Sequence, residues 1–137
     1  MKHQLFAAAS MAVLVVCCAQ IGSVQAQTFD FKNIVSVGGS PVTVNQSSQF
    51  NMTGLFMVGG STSGTVAQAG TTNVVGILQF GGTTSASASQ TGIFNSASIG
   101  QVGQSTSSLL SQLGAMNSGF VAQFGAVNTS TVNQSGP

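Results

Sequence analysis

The chain has 137 residues, of which only 2% are charged, and its formal net charge is +1. A chain this poor in charge offers no electrostatic footprint for nucleic acid or anionic lipid, and little repulsion opposes its self-association. It is therefore either disordered or built to assemble, and the regular apolar positions described below speak against disorder.

Lys2 and His3 give a polar, positive start, and an apolar run follows from Leu5 to Ala19. The run is shorter than the ~20 apolar residues of a membrane span. Val24-Gln25-Ala26 then places small residues where a signal peptidase cuts, so residues 1–26 are expected to be a secretory signal peptide removed before Gln27. A buried N-terminal helix is the alternative. Cys17 and Cys18 lie within the leader and lack the small preceding residue of a lipidated cysteine. The mature chain then holds no Cys and no His, one acid (Asp30) and one base (Lys32). That excludes a disulfide scaffold. It also removes acid–base pairs, nucleophile–base pairs and the common metal sites, so no enzyme, cofactor or metal is expected. Residues 27–39 form a short N-terminal segment containing Phe29 and Phe31.

From residue 40 to 137 the chain keeps a fixed beat. Gln46, Gln68, Gln90, Gln112 and Gln134 recur every 22 residues, Asn51, Asn73, Asn95 and Asn117 share the step, and so do Gln79, Gln101 and Gln123. Self-similarity at such a period marks a stacked-repeat architecture. The pattern makes four rungs and a half rung, the last ending at Gly136-Pro137.

Within each copy the recurring residues sit two apart, as in Val66-x-Gln68-x-Gly70, then Asn73-x-Val75-x-Ile77-x-Gln79-x-Gly81. Period two is the strand period and puts them on one face. The phase slips once between Gly and Asn, which predicts a turn at Gly70, Gly92 and Gly114, with both Gly and Asn suited to positive φ. Gly59, Gly81, Gly103 and Gly125 mark a second turn. Each copy therefore reads as two strands of six or seven residues and two bends. Gly, Ser, Thr, Asn and Val are poor helix formers, and no 3.6-residue apolar stripe is present.

One strand pair cannot bury its own face; stacked on the next copy, it can. The prediction is an all-β, single-chain β-solenoid with parallel, amyloid-like cross-β rungs about 4.8 Å apart. Val44, Val66, Ala88, Leu110 and Val132 face inward beside Leu55, Ile77, Ile99 and Val121. A buried amide needs a partner, and the Gln and Asn columns find it in the same residue one rung away, which explains the strict spacing. The slots between face outward. Val58, Phe80, Val102 and Phe124 align there, with Phe50, Phe94 and Met116 before the Asn column. An aligned apolar stripe is expected to pack laterally against another fibril or a neighbouring subunit.

The rung resembles the curlin repeat of bacterial curli, Ser-x5-Gln-x-Gly-x-x-Asn-x-Ala-x-Val-x-Gln. Gln90-x-Gly92-x-x-Asn95-x-Ala97-x-Ile99-x-Gln101 matches it closely, and the leading position is Ser40, Thr62, Thr84 and Thr106 in successive copies. The resemblance covers residues 40–136. Ser48 replaces the turn glycine and Met57 the second glutamine of the first copy. The family's Gly- and Asn-rich secretion-targeting segment is not evident in the shorter residues 27–39, and its charged gatekeepers are missing from the rungs. The resemblance implies a structural subunit of an extracellular functional-amyloid fibre for adhesion and biofilm matrix. Its implied partners are itself, a nucleator or major curlin, and an outer-membrane secretion channel with accessory factors. The alternative reading is a soluble β-solenoid that binds ice or another surface, which requires a flat outward array, typically of Thr.

Repeat proteins ordinarily block their ends with polar caps, and none is visible in this sequence. Open ends template further pairing, which predicts head-to-tail growth, with the half rung around Gln134 joining the next chain.

Overall fold

The computed structural model describes residues 10–16, 29–38 and 41–136. Most of the expected leader, with Cys17 and Cys18, lies outside the described residues, as do Ser40 and Pro137. Seven strands follow in chain order: β1 (Ser10–Val16), β2 (Phe29–Val37), β3 (Val42–Val58), β4 (Thr62–Phe80), β5 (Thr84–Val102), β6 (Thr106–Phe124) and β7 (Asn128–Ser135). They form one sheet in sequence order, and every neighbouring pair is parallel. The sheet coils into a β-solenoid of about 5 turns.

The register is the one the columns demand. Gln46 pairs with Gln68, Gln68 with Gln90, Gln90 with Gln112 and Gln112 with Gln134. Alternation decides burial, as a pleated strand requires. In β4 the inward residues Val66, Gln68, Asn73, Val75, Ile77 and Gln79 are buried, while Leu78 and Phe80 between and beyond them are exposed. The core is the stack of these inward residues, from Ile34 in β2 to Val121 in β6, with Val132 of β7 packed against it.

Three features differ from the sequence reading. The expected pair of short strands per copy is a single long one: β4, β5 and β6 each run 19 residues through the first bend. The ladder skips only one residue there, since Gly70 pairs with Gly92 and the next pair is Thr72 with Phe94. The chain turns within the plane of a rung while its hydrogen bonds run along the stack, so the bend interrupts almost none of them.

The bend is made by glycine without help from asparagine. Gly70, Gly92 and Gly114 have φ of 124°, 145° and 131°, whereas the Asn column has no positive φ and its members lie in strands. At the second bend, Gly59, Gly81, Gly103 and Gly125 have positive φ as expected, but so do Ser61, Thr83, Ser105 and Val127, two residues later. A left-handed Thr or Val costs on the order of 1–2 kcal/mol. The stack imposes it: Thr83 N–H donates to Gly60 O at 3.2 Å and Val127 N–H to Gln104 O at 3.0 Å, each one rung back.

The short N-terminal segment is itself part of the stack. β2 pairs with the second half of β3, Ile34 on Leu55 and Gly38's neighbour Val37 on Val58, a step one residue shorter than in the repeats. That shift stacks Phe29 on Phe50, ring centroids 4.8 Å apart and 6° from parallel. β1 continues the order on β2, Ser10 opposite Asp30 through Val16 opposite Ser36.

Candidate functional site: amide ladders and the two ends

The residues singled out by their spacing come together as three hydrogen-bonded columns. In the first, Gln46 Nε2 donates to Gln68 Oε1 at 2.7 Å, Gln68 to Gln90 at 3.0 Å, Gln90 to Gln112 at 2.7 Å and Gln112 to Gln134 at 2.7 Å. In the second, Gln79 donates to Gln101 at 2.7 Å and Gln101 to Gln123 at 2.9 Å. Both run the same way, each amide donating toward the C-terminal rung. The asparagine column runs the opposite way: Asn117 Nδ2 donates to Asn95 Oδ1 and Asn95 Nδ2 to Asn73 Oδ1, each at 3.1 Å. Asn51 stands in register with Asn73, yet its Oδ1 accepts no hydrogen bond among the described residues.

Four of these glutamines also donate across the core to a backbone carbonyl of a facing half rung, which spacing alone does not reveal. The Nε2 of Gln90, Gln112 and Gln134 donates to Val74 O, Ser96 O and Ser118 O, and Gln101 Nε2 donates to Ser85 O. Thr53 and Ser108 join the columns through their hydroxyls: Gln46 Nε2 donates to Thr53 Oγ1 at 2.7 Å, and Ser108 Oγ–H donates to Gln123 Oε1 at 2.8 Å. One amide therefore serves two neighbours, and a buried donor is fully satisfied only when both are present.

The turn glycines form a further column. A Cβ on Gly92 would overlap the carbonyl of Gly114, and one on Gly70 the carbonyl of Gly92. The reason is geometric: the missing side chain points along the stack into the next rung. Gly125 has φ of 94°, but nothing closer than Asn128 Nδ2 at 4.0 Å faces its missing Cβ, because no described strand lies beyond it.

The columns end on unsatisfied atoms. Gln46 Oε1, Gln79 Oε1 and Ser36 Oγ are buried without a hydrogen-bond partner among the described residues. For Gln79 the cause is Met57, which occupies the preceding rung of its column. β7 covers only Thr106–Leu113 of β6, so the stretch Asn117–Phe124 has no described strand on its far side.

The two outer faces differ. Outside the first half of each rung stand small and polar residues, Thr65, Ser87 and Thr131 among them, interrupted by Leu109 and Leu113. Outside the second half runs an apolar groove lined by Phe56, Leu78, Phe120 and Phe124. Phe120 is 72% and Phe124 75% exposed. The expected column holds Val58, Phe80, Val102 and Phe124 in register, with Phe56 and Phe80 rings 5.6 Å apart.

No protein-family profile, no curated protein and no solved structure matches the chain. Its function is therefore read from the ladders and their ends.

Proposed function

We propose that this chain is the structural subunit of an extracellular, curli-type amyloid fibre, exported with a leader and extended by head-to-tail stacking of further copies. The observation that carries the reading is the in-register parallel ladder, beyond whose stretch Asn117–Phe124 no described strand lies. An edge of unpaired N–H and C=O groups recruits another strand, and a contact between unlike ends does not close. The near absence of charge removes the usual opposition to such growth. The resemblance of the rung to the curlin repeat supports a role in adhesion and biofilm matrix, with a nucleating or major curlin and an outer-membrane channel as partners.

The reading as a soluble ice- or surface-binding solenoid needs a flat polar array. Leu109 and Leu113 interrupt the Ser/Thr face, and the opposite face is apolar. The deciding experiment is fibre diffraction with size-exclusion chromatography on the exported chain. The expected result is fibres with a meridional reflection near ~4.8 Å; a monodisperse monomer that forms no fibres overturns the reading.

A further inference from the structure

The two ends of the solenoid are cut as complementary steps, and the geometry points to a lapped joint in which β7 of one copy and β2 of the next together make one complete rung. The inference rests on the fibre reading and on removal of residues 1–26.

At the C-terminal end, β7 fills the first half of the last described rung, and no described strand fills the second half beyond Asn117–Phe124. At the N-terminal end the offset is reversed. β2 fills the second half of a rung before Phe50–Val58, and no described strand precedes Val42–Ser48. Loss of the leader takes away β1, which occupies the outer edge of β2 from Asp30 to Ser36. The protruding half of each end then matches the vacant half of the other.

Continuing the observed registers across the joint brings like chemistry together. The repeat step places Val44 of the incoming copy on Val132 and Gln46 on Gln134. The β2 step places Ile34 on Val121, Ser36 on Gln123 and Gly38 on Gly125. Two of these meetings resolve atoms that the single chain leaves unsatisfied. Gln46 Oε1 and Ser36 Oγ are buried without a hydrogen-bond partner among the described residues, and each arrives over the last amide of a ladder. Gln134 Nε2 spends one hydrogen on Ser118 O. By the direction of its column, its other hydrogen points onward to the incoming acceptor. That polarity permits head-to-tail addition and opposes a tail-to-tail joint, in which two amide donors would face each other.

Shape agrees at one more column. Gly38 and Gly125 both have positive φ, 110° and 94°, and they continue the glycine stack that tolerates no Cβ between rungs.

Paired cysteines in the full chain, exported and processed by cells, test the lap. Asn33→Cys with Phe120→Cys, and Asn45→Cys with Asn133→Cys, each place two outward thiols about 19 Å apart in one copy, four rungs of ~4.8 Å, beyond the reach of a disulfide. Across a lapped joint each pair is one rung apart and within reach. Mild oxidation of fibres is expected to convert most chains into covalent multimers in both double variants, with none in the single variants. An unlapped joint, with β2 and β7 both displaced, instead links Gly54→Cys with Phe120→Cys and Asn45→Cys with Ser111→Cys. Fibres in which these link, or in which the lapped pairs stay unlinked, overturn the lap and leave the fibre reading standing. A chain that stays monomeric and never links between copies overturns both.

Discussion

Met57 occupies the space that Gly64 leaves empty. A Cβ on Gly64 would lie 3.0 Å from Met57 Sδ and 2.8 Å from Leu55 Cδ2. Two departures from the repeat thus compensate each other. The thioether replaces the second glutamine of the first rung, and the facing residue shrinks to glycine where later rungs have Ala86 and Ser108. The exchange keeps the core filled at the expense of the ladder, because Gln79 Oε1 and Ser36 Oγ, on either side of Met57, have no hydrogen-bond partner among the described residues.

Met57→Gln is therefore expected to stabilise the chain. The introduced amide donates to Gln79 Oε1 and its oxygen accepts from Ser36 Oγ–H. Each net hydrogen bond is worth about 1 kcal/mol, which offsets the lost burial of the thioether. The urea midpoint of freshly exported monomer, followed by circular dichroism, should rise. Gly64→Ala alone should lower it by the ~1–3 kcal/mol of an overpacked core, and by less in the Met57→Gln background. A midpoint that falls in Met57→Gln would show that packing outweighs the ladder at this site.

Gly92 and Gly60 separate what a glycine does in the stack from what it does in the chain. Gly92→Ala forces a Cβ onto the Gly114 carbonyl and holds alanine at a φ of 145°. Gly60→Ala meets nothing within 4 Å. Steric overlap and backbone strain together cost on the order of 3 kcal/mol or more. Gly92→Ala should abolish the folded monomer or halve its unfolding midpoint, while Gly60→Ala matches wild type. Equal behaviour of the two would refute the axial-glycine account.

Most of this architecture is legible in the sequence because identical spacing leaves few other ways to pair buried amides. The period-two alternation from Val66 to Gly70 and from Asn73 to Gly81 sets which side chains enter the core, and the 22-residue recurrence sets the register. The rest depends on the stack and leaves no local mark. Thr83 and Val127 adopt positive φ against their own preference because carbonyls one rung back hold their N–H groups. β2 carries no Gln or Asn of the repeat columns, so its place is set by Phe29 on Phe50 and Ile34 on Leu55. The cross-rung bonds from Gln90 and Gln112 to Val74 O and Ser96 O join residues whose proximity exists only once the bend at the glycine is made.

Position within a ladder should set the consequence of losing a glutamine. Gln90→Leu strands the Gln68 amide donor, the Gln112 acceptor and Val74 O at once. Unsatisfied buried groups cost ~1–3 kcal/mol each, so the folded monomer should be lost or nearly so. Gln134→Leu removes only the last member, half-exposed at the end of the column. It should change the monomer's stability by about 1 kcal/mol and slow elongation at least severalfold, as read by dye fluorescence with preformed seeds. Elongation at the wild-type rate would show that the column does not continue into the next copy.

On the proposed reading as a fibre subunit, the apolar face bears on how fibres associate. Phe56, Leu78, Phe120 and Phe124 line one groove, and Phe80 and Val102 continue it, all on the outer surface of the second half-rungs. Repetition along a growing stack would turn this groove into an unbroken apolar stripe, far larger than the few hundred Å² that a soluble monomer usually exposes. The same face on a second fibre is the surface that covers it most fully, since both stripes share the same rung spacing. Replacing Phe80→Ser and Phe124→Ser together touches no ladder and no core residue, so elongation should continue at close to the wild-type rate. Electron micrographs should then show single, thin fibres in place of bundles. Bundles of unchanged width would mean that lateral contact uses the Ser/Thr face instead.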